Sequence, residues 1–212
     1  MNVYLDLIFT SADNDRNWFK SRYYYQSGNA RYYTFQIALN LLRQCHENPV
    51  IIETGCQRQE EDVGAGMSTS IFAEYISRYG GKLISVDIVD EHLKRAKSYV
   101  SKWPAADVTM VRADSVGFLQ QHQGSCDLLY LDSLDYPVGE EGENLQLRDA
   151  AQQHCMNEFR AAQKNLETGA ILLLDDNHLP GGGKPRLVKE YLLQQPEWLC
   201  VMDYQQSLWI KS

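Results

Sequence analysis

The feature that most restricts the fold of this chain is a regular alternation of short apolar runs and helical patterns that begins at residue 50. Five apolar runs have the length of buried strands, and each is followed by a segment with helical spacing of its apolar residues. The strand-like runs are 50–55, 82–88, 108–114, 126–133 and 170–177, and the helical patterns are 68–80, 90–103, 115–122, 143–169 and 185–195. Repeated strand–helix units predict an α/β fold with a doubly wound, mostly parallel sheet.

The two ends of the chain complete this architecture. Residues 198–212, "WLCVMDYQQSLWIKS", contain two alternating runs around Gln205 and Gln206, which predicts a terminal antiparallel hairpin and a total of seven strands. Residues 1–49 are rich in aromatic side chains and end in an expected helix from Thr34 to His46. We therefore expect one domain, in which residues 1–49 form an aromatic-rich cap and helix on the ligand-binding part, residues 50–212.

Composition narrows the partners that this chain can have. The net charge is −8, which argues against nucleic acid or an anionic membrane as the main partner. The N-terminus lacks the basic segment of a signal peptide, and no apolar run is long enough to span a bilayer. The five cysteines are dispersed and form no C-x-x-C pair, so we expect neither a zinc site nor disulfides. These features together predict a cytoplasmic protein.

Acidic residues stand at or near the ends of all five predicted parallel strands. They are Glu53, Asp87, Asp114, Asp132 and the pair Asp175–Asp176. A single acid in such a place is usually a helix cap or a solvated loop residue, but five in series are poorly explained in that way. Because ligands of open α/β sheets bind beyond the carboxyl ends of the strands, the series predicts a binding site there.

The motifs that carry these acids resemble those of a known family. In order, "ETG…GAGMST", "SVDI", "VRADS" and "CDLLYLDS" resemble four motifs of class I S-adenosylmethionine-dependent methyltransferases, and the resemblance spans residues 50–212. It implies a Rossmann-like fold and cofactor contacts for ten residues: Glu53, Gly55, Gly64, Gly66, Ser68, Asp87, Ile88, Asp114, Ser115 and Asp132. Within this set, Asp87 would bind the ribose, and Asp114 and Ser115 would border the adenine.

A finer resemblance concerns the ends of the fourth and fifth strands. Catechol-type O-methyltransferases carry an acid after the fourth strand and an Asp-Asn pair after the fifth, as Asp132 and Asp176–Asn177 do here. Macrolide-sugar O-methyltransferases carry an Asp-Asp pair, which Asp175–Asp176 matches. The resemblance implies a Mg²⁺-like ion that binds the hydroxyl of a small acceptor molecule. Carboxylate and amide oxygens suit such a hard cation, and acids this close need a cation or a shared proton.

The sequence departs from the catechol-type pattern in two places. The segment "CQRQEEDV", residues 56–63, lengthens the glycine-rich turn between Gly55 and Gly64 and could be a lid, a dimer contact or an inert surface loop. The lysine base expected three residues after Asp132 is replaced by Asp135. We therefore expect His178, which follows the proposed metal ligands, to act as the general base beside Asp132. A homodimer remains possible.

Other signals are weaker, and two other functions stay open. "LPGGGKPR", residues 179–186, predicts a flexible loop over the mouth of the site, with Gly181 to Gly183 as hinges. Lys184 is expected to be solvated, with contact to an acidic substrate as the alternative. His154 is expected to be a helix-face residue. An NAD(P)-dependent oxidoreductase is a second hypothesis, although no Tyr-x-x-x-Lys pair follows the fourth strand. A non-catalytic cofactor-binding module is a third, because the usual lysine base is missing.

Overall fold

A seven-stranded sheet organises the chain, of which the computed structural model describes residues 16–23, 29–60, 66–135, 138–139 and 142–212. The sheet strands are β1 (Val50–Thr54), β2 (Lys82–Asp87), β3 (Val108–Arg112), β4 (Leu128–Leu131), β7 (Ile171–Leu174), β8 (Trp198–Asp203) and β9 (Ser207–Lys211), and a separate small ladder contains β5 (Val138–Gly139) and β6 (Gly142–Glu143). The helices are α1 (Arg16–Tyr23), α2 (Asn29–Cys45), α3 (Ser68–Tyr79), α4 (Asp90–Val100), α5 (Ser115–Gln121), α6 (Leu145–Ala162) and α7 (Arg186–Leu192).

The strand order confirms the predicted fold class. It runs β3-β2-β1-β4-β7-β9-β8, with β1, β2, β3, β4 and β7 parallel to one another and β9 antiparallel to both β7 and β8. The terminal hairpin forms without a glycine in its turn, where Tyr204 N–H donates to the carbonyl oxygen of Gln206 over 3.0 Å. The order reverses direction between β1 and β4, which is where a doubly wound sheet opens a crevice for ligands.

Alternation along the strands divides the core between the two faces of the sheet. Ile51 and Leu128 pack on one face with Phe35 of α2, whereas Ile52 and Phe159 of α6 pack on the other face. Successive side chains of a strand point to opposite faces, and parallel strands covered on both faces are therefore apolar throughout. This explains why the buried strands were readable as continuous apolar runs.

The start of α2 differs from the prediction, and the start of α3 has no cap of its own. The helix α2 begins at Asn29, five residues before the predicted Thr34, and ends at Cys45. Serine is a residue type that favours the N-cap, but Ser68 is the first residue of α3, and the capping position is Met67, which has a φ of 60° and no capping side-chain bond. The Ser68 hydroxyl instead donates to the buried carboxylate of Glu53 over 2.9 Å. The Ser68 hydroxyl therefore bonds to a buried side chain and does not cap the helix.

Several predictions fall outside the described residues. These include Gly64, residues 61–63 of the inserted segment and the first fifteen residues of the chain. In the part of the chain that the structure covers, none of the helices combines the length and apolar character that a membrane crossing requires. All five cysteines lie in the described part, and each is a free thiol.

Trp209 tests the closure of the sheet by the hairpin. Its side chain is fully enclosed between β9 and the helices of one face. We expect Trp209→Ala to lower the free energy of unfolding by about 3–5 kcal/mol, because the substitution removes a large buried ring and leaves a cavity. Urea denaturation followed by circular dichroism measures the change. The matched control is Tyr204→Ala in the exposed turn of the same hairpin, which should change stability by about 0.5 kcal/mol or less.

Candidate functional site

A cavity of about 410 Å³ lies at the carboxyl ends of β1, β2, β3 and β4. Its volume falls within the roughly 300–1,000 Å³ that is usual for small-molecule sites. Six of the ten predicted cofactor contacts line it: Gly55, Asp87, Ile88, Asp114, Ser115 and Asp132. The structure thus brings residues from four separate strand ends into one pocket, although they are up to 77 positions apart in the chain.

Of the other four predicted cofactor contacts, Gly64 lies outside the described residues, and Glu53, Gly66 and Ser68 do not line this cavity. Glu53 is fully buried beneath it and accepts hydrogen bonds from the hydroxyls of Ser68, over 2.9 Å, and Ser85, over 2.6 Å. Burial raises the pKa of Glu53 to about 7, against the opposing effect of these hydroxyl donors. Gly66 has a φ of +73° and lies against the side chain of Arg31. These residues therefore support the glycine-rich turn from below.

Gly55 is required by the close approach of two strand ends. Its φ is +79°, and a Cβ atom at this position would lie 2.3 Å from the carbonyl oxygen of Asp132. Only glycine adopts this conformation without strain and leaves room for the neighbouring backbone. The motif residue thus sets the spacing between the ends of β1 and β4 beside the cavity.

Two pocket acids also organise the loops that carry them. The Asp87 carboxylate accepts hydrogen bonds from the backbone N–H groups of Val89, over 2.7 Å, and Cys56, over 3.3 Å. The Asp114 side chain caps α5 by accepting from the N–H of Gly117 over 2.8 Å. Asp114 therefore serves both as the N-cap of α5 and as a residue that lines the cavity.

A buried lysine lies within the acid cluster that the ends of β4 and β7 create. The Lys184 ammonium group is 2.7 Å from Asp132 Oδ1, 2.9 Å from Asp135 Oδ1 and 2.9 Å from Asp176 Oδ2. Burial and the neighbouring acids Asp175 and Asp176 raise the pKa of Asp132 well above its usual value, although Lys184 opposes the shift. Asp132 and Asp135 also line the cavity, so this cluster borders the pocket.

Asp175 has a different partner. Its carboxylate accepts two hydrogen bonds from Arg31 Nε, over 2.9 and 3.0 Å, and further bonds from the Tyr130 hydroxyl and the Gln206 amide. Burial alone would raise the pKa of Asp175, but the Arg31 guanidinium holds it below its ordinary value. Arg31 also pairs with Asp176 over 3.3 Å. The start of α2 is thereby joined to the end of β7.

The four predicted metal ligands do not meet at one centre. Asp132 and Asp176 share the cluster around Lys184, whereas Asp175 binds Arg31. The Asn177 amide donates to Asp203 and to the carbonyl oxygen of Tyr204, over 2.8 and 2.6 Å. Asp132, Asp135 and Asp176 offer oxygens within 4.8 Å of one another, a donor set that is suited to a hard cation. The Lys184 ammonium occupies the space between them, so the arrangement does not fit a second cation.

The structure separates the two histidines considered in this region. His178 is exposed and is not among the residues that line the cavity. His154, which was expected only as a helix-face residue, lines the cavity and lies 3.1 Å from the hydroxyl of Ser115. Its hydrogen bond to Glu158, four residues later, raises the pKa of His154. The spacing to Glu158 was the only signal in the sequence that could have distinguished His154.

The loop of residues 179–186 was predicted to be flexible with a solvated lysine, and this is wrong for its central part. Gly183 and Lys184 are buried, and the Gln152 amide of α6 donates to the carbonyl oxygens of Gly181 and Gly183 over 3.1 and 2.9 Å. The acids of the cluster attract the lysine inward more strongly than water holds it out. The loop is therefore fixed to the site.

The inserted segment is likewise not a surface loop throughout. Cys56 and Gln57 are buried, and the Gln57 side-chain oxygen accepts from the N–H of Ser70 over 3.2 Å. The Gln57 N–H donates to the hydroxyl of Thr69 over 2.9 Å. Because the first N–H groups of a helix have no partner within it, Gln57 supplies the cap that α3 lacks locally. Arg58, Gln59 and Glu60 are exposed.

Gln57 gives a direct test of this capping role. We expect Gln57→Ala to lower the free energy of unfolding by about 1–3 kcal/mol, because it leaves buried groups at the start of α3 without partners. Thermal and urea unfolding measure the loss. The control is Gln59→Ala, two residues later. Because the Gln59 side chain is exposed, this substitution should change the free energy of unfolding by about 0.5 kcal/mol or less. Equal stability of the two variants would show that the cap is dispensable.

The sequence and the fold are similar to those of known proteins. A family profile described as "Methyltransferase domain" matches residues 62–177, more than half of the 212 residues. Among curated proteins, no sequence matches this chain.

Solved structures of low sequence identity share the fold. CalS11, a calicheamicin methyltransferase, is 12% identical with a TM-score of 0.59, covering 99% of this chain and 90% of its own. A candidate rRNA methylase from Clostridium thermocellum is 12% identical with a TM-score of 0.59, and the match covers 82% of this chain and 95% of that protein. A candidate methyltransferase from Streptococcus mutans, in complex with SAH, is 11% identical with a TM-score of 0.56, and the match covers 84% of this chain and 97% of that protein. At these identities the likeness concerns the fold.

Proposed function

Because this chain belongs to the family of methyltransferase domains, we propose that it is an O-methyltransferase that uses S-adenosylmethionine to methylate a hydroxyl group of a small molecule. The observation that carries the proposal is the cavity that Asp87 of β2 and Asp132 after β4 border on either side of β1. The net charge of −8 favours a small acceptor over a nucleic acid.

The cavity offers suitable groups for the parts of S-adenosylmethionine. The Asp87 carboxylate can accept hydrogen bonds from ribose hydroxyls, as the acid after the second strand does in dinucleotide folds. Ser115 and the exposed apolar side chain of Ile88 border the same cavity and suit the adenine and its surroundings. When bound, the cofactor supplies an electrophilic methyl group.

Asp132 is our candidate for the group that accepts the proton of the acceptor hydroxyl. It lines the cavity, and its raised pKa makes the ionised carboxylate a better base than an ordinary aspartate. Lys184 donates to Asp132 over 2.7 Å and so fixes its orientation. His178, the base expected from the sequence, is not needed in this mechanism.

Two earlier alternatives are not favoured. An NAD(P)-dependent oxidoreductase is disfavoured by the match to a methyltransferase profile. A non-catalytic module was suggested by the missing lysine base, and Asp132 offers a candidate for that role. The divalent cation that the resemblance to catechol-type enzymes implies forms no part of the proposed mechanism, because the Lys184 ammonium lies between the acids that would bind it.

Cofactor binding is tested at Asp87. We expect Asp87→Ala to weaken S-adenosylmethionine binding by at least tenfold, because a charge-assisted hydrogen bond contributes about 1.5–3 kcal/mol. Isothermal titration calorimetry measures the affinity, with NAD as a second ligand that should not bind. The control is Asp90→Ala at the exposed start of α4, whose carboxylate pairs with Lys94. Unchanged affinity in a folded Asp87→Ala protein would remove Asp87 from the ribose site.

Catalysis is tested at Asp132. We expect Asp132→Asn to lower the methylation rate by about 10²–10⁴-fold, the usual contribution of a positioned base, and to weaken S-adenosylmethionine binding by a much smaller factor, because the amide keeps the size of the side chain. Formation of S-adenosylhomocysteine is followed over a panel of phenols, catechols and sugars. The exposed Asp149→Asn variant is the control. A wild-type rate in Asp132→Asn would exclude this residue as the base, and no turnover of any hydroxyl compound by the wild type would contradict the proposed acceptor class.

A further inference from the structure

The position of Lys184 suggests a role for it that the sequence motifs did not indicate. The residue is 3% exposed, and its ammonium group donates to Asp132, Asp135 and the carbonyl oxygen of Ser133, over 2.7, 2.9 and 3.1 Å. It also pairs with Asp176 over 2.9 Å. An ammonium group has three donors, and all of them are directed to these oxygens rather than to the cavity.

The loop before Lys184 is shaped to deliver this side chain. Gly183 has a φ of +66°, and a Cβ atom there would lie 1.9 Å from the carbonyl oxygen of Asp176. Gln152 holds the loop from α6 through two amide hydrogen bonds to carbonyl oxygens on either side of Gly182. The backbone therefore passes so close to the end of β7 that the next side chain enters the acid cluster.

Lys184 places a positive charge among these acids, as a divalent cation would do. The charges of Asp132, Asp135 and Asp176 repel one another, and a positive charge between them removes that repulsion. A metal ion at the same place would lie beside the ammonium and be repelled by it. The other predicted ligands, Asp175 and Asn177, are already bound elsewhere.

We propose that Lys184 is the resident cation of this site, a positioning residue that holds Asp132, Asp135 and Asp176 in place of a divalent metal ion. Methyl transfer by this protein then requires no metal. The inference concerns the charge of the cluster and can be tested without any acceptor, so its failure is separable from failure of the proposed function.

A role for Lys184 as the missing lysine base is less compatible with the geometry. The Lys184 nitrogen lies within 2.9 Å of carboxylate oxygens of Asp132, Asp135 and Asp176, and these three acids stabilise its charged form. An ammonium ion has no lone pair that could accept a proton. It orients Asp132 rather than replacing it.

The test is a gain of metal binding when the ammonium is removed. Wild-type protein stripped with EDTA should show no saturable Mn²⁺ binding at millimolar concentrations, by calorimetry or by the electron paramagnetic resonance signal of free Mn²⁺. Lys184→Ala leaves three carboxylates around an empty space and should bind Mn²⁺ at least tenfold more tightly than the wild type. A merely structural role for Lys184 would not produce this gain.

Two further variants locate the new site. Lys189→Ala removes a lysine of the next helix that pairs with Asp203 outside the cluster, and it should bind Mn²⁺ no better than the wild type. Adding Asp176→Asn to Lys184→Ala should abolish most of the gained affinity, because it removes one of the three carboxylates. Retention of the full gain in this double variant would place the metal elsewhere and overturn the proposal.

The remaining outcomes also decide the question. Saturable Mn²⁺ or Mg²⁺ binding by the wild type, or loss of its methyl-transfer activity in EDTA, would overturn the proposal. A folded Lys184→Ala protein that binds Mn²⁺ no better than the wild type would overturn it as well. If Lys184→Ala does not fold, the Mn²⁺ titration of the wild type decides the question. Saturable Mn²⁺ binding by the wild type contradicts the proposal that Lys184 is the resident cation, and a lack of saturable binding supports it.

Discussion

The structure around the site depends on the repulsion between acids that two adjacent parallel strands deliver to one edge of the sheet. β4 and β7 end side by side, and Asp132, Asp175 and Asp176 follow them directly. Buried like charges at this spacing are unfavourable unless cations or shared protons compensate them. The compensation comes from outside both strands, because Arg31 belongs to α2 and Lys184 to the loop before α7. The helices at the two ends of the chain are thereby tied to the same strand ends.

The sheet and the acids at its edge could be predicted because both are local properties of the sequence. Apolar runs identify buried strands, and the carboxyl ends of parallel strands must meet at one edge. The cations could not be predicted in the same way. Arg31 reaches Asp175 across 144 positions, and Lys184 reaches Asp132 across 52. A charged residue in a loop or at a helix start has the same appearance in the sequence whether it faces water or a buried acid.

The inserted segment of residues 56–63 shows the same limitation for uncharged residues. Most residues of this segment are polar, which is typical of a surface loop, yet Gln57 is buried against the start of α3. The reason is that Met67 offers no capping oxygen, so the helix takes one from the preceding loop. Nothing in the polar run distinguishes Gln57 from the exposed Gln59. The glycine-rich turn was interrupted in part to cap the helix that follows it.

The placement of the two cations also affects how the protein is made. The segment shared with other methyltransferase domains, residues 62–177, contains Asp132, Asp175 and Asp176 but neither Arg31 nor Lys184. During synthesis, a chain that has emerged from the ribosome up to residue 177 holds all the acids of the cluster and only one of the two cations that neutralise it. The paired ends of β4 and β7 therefore reach their final state only after translation has passed residue 184.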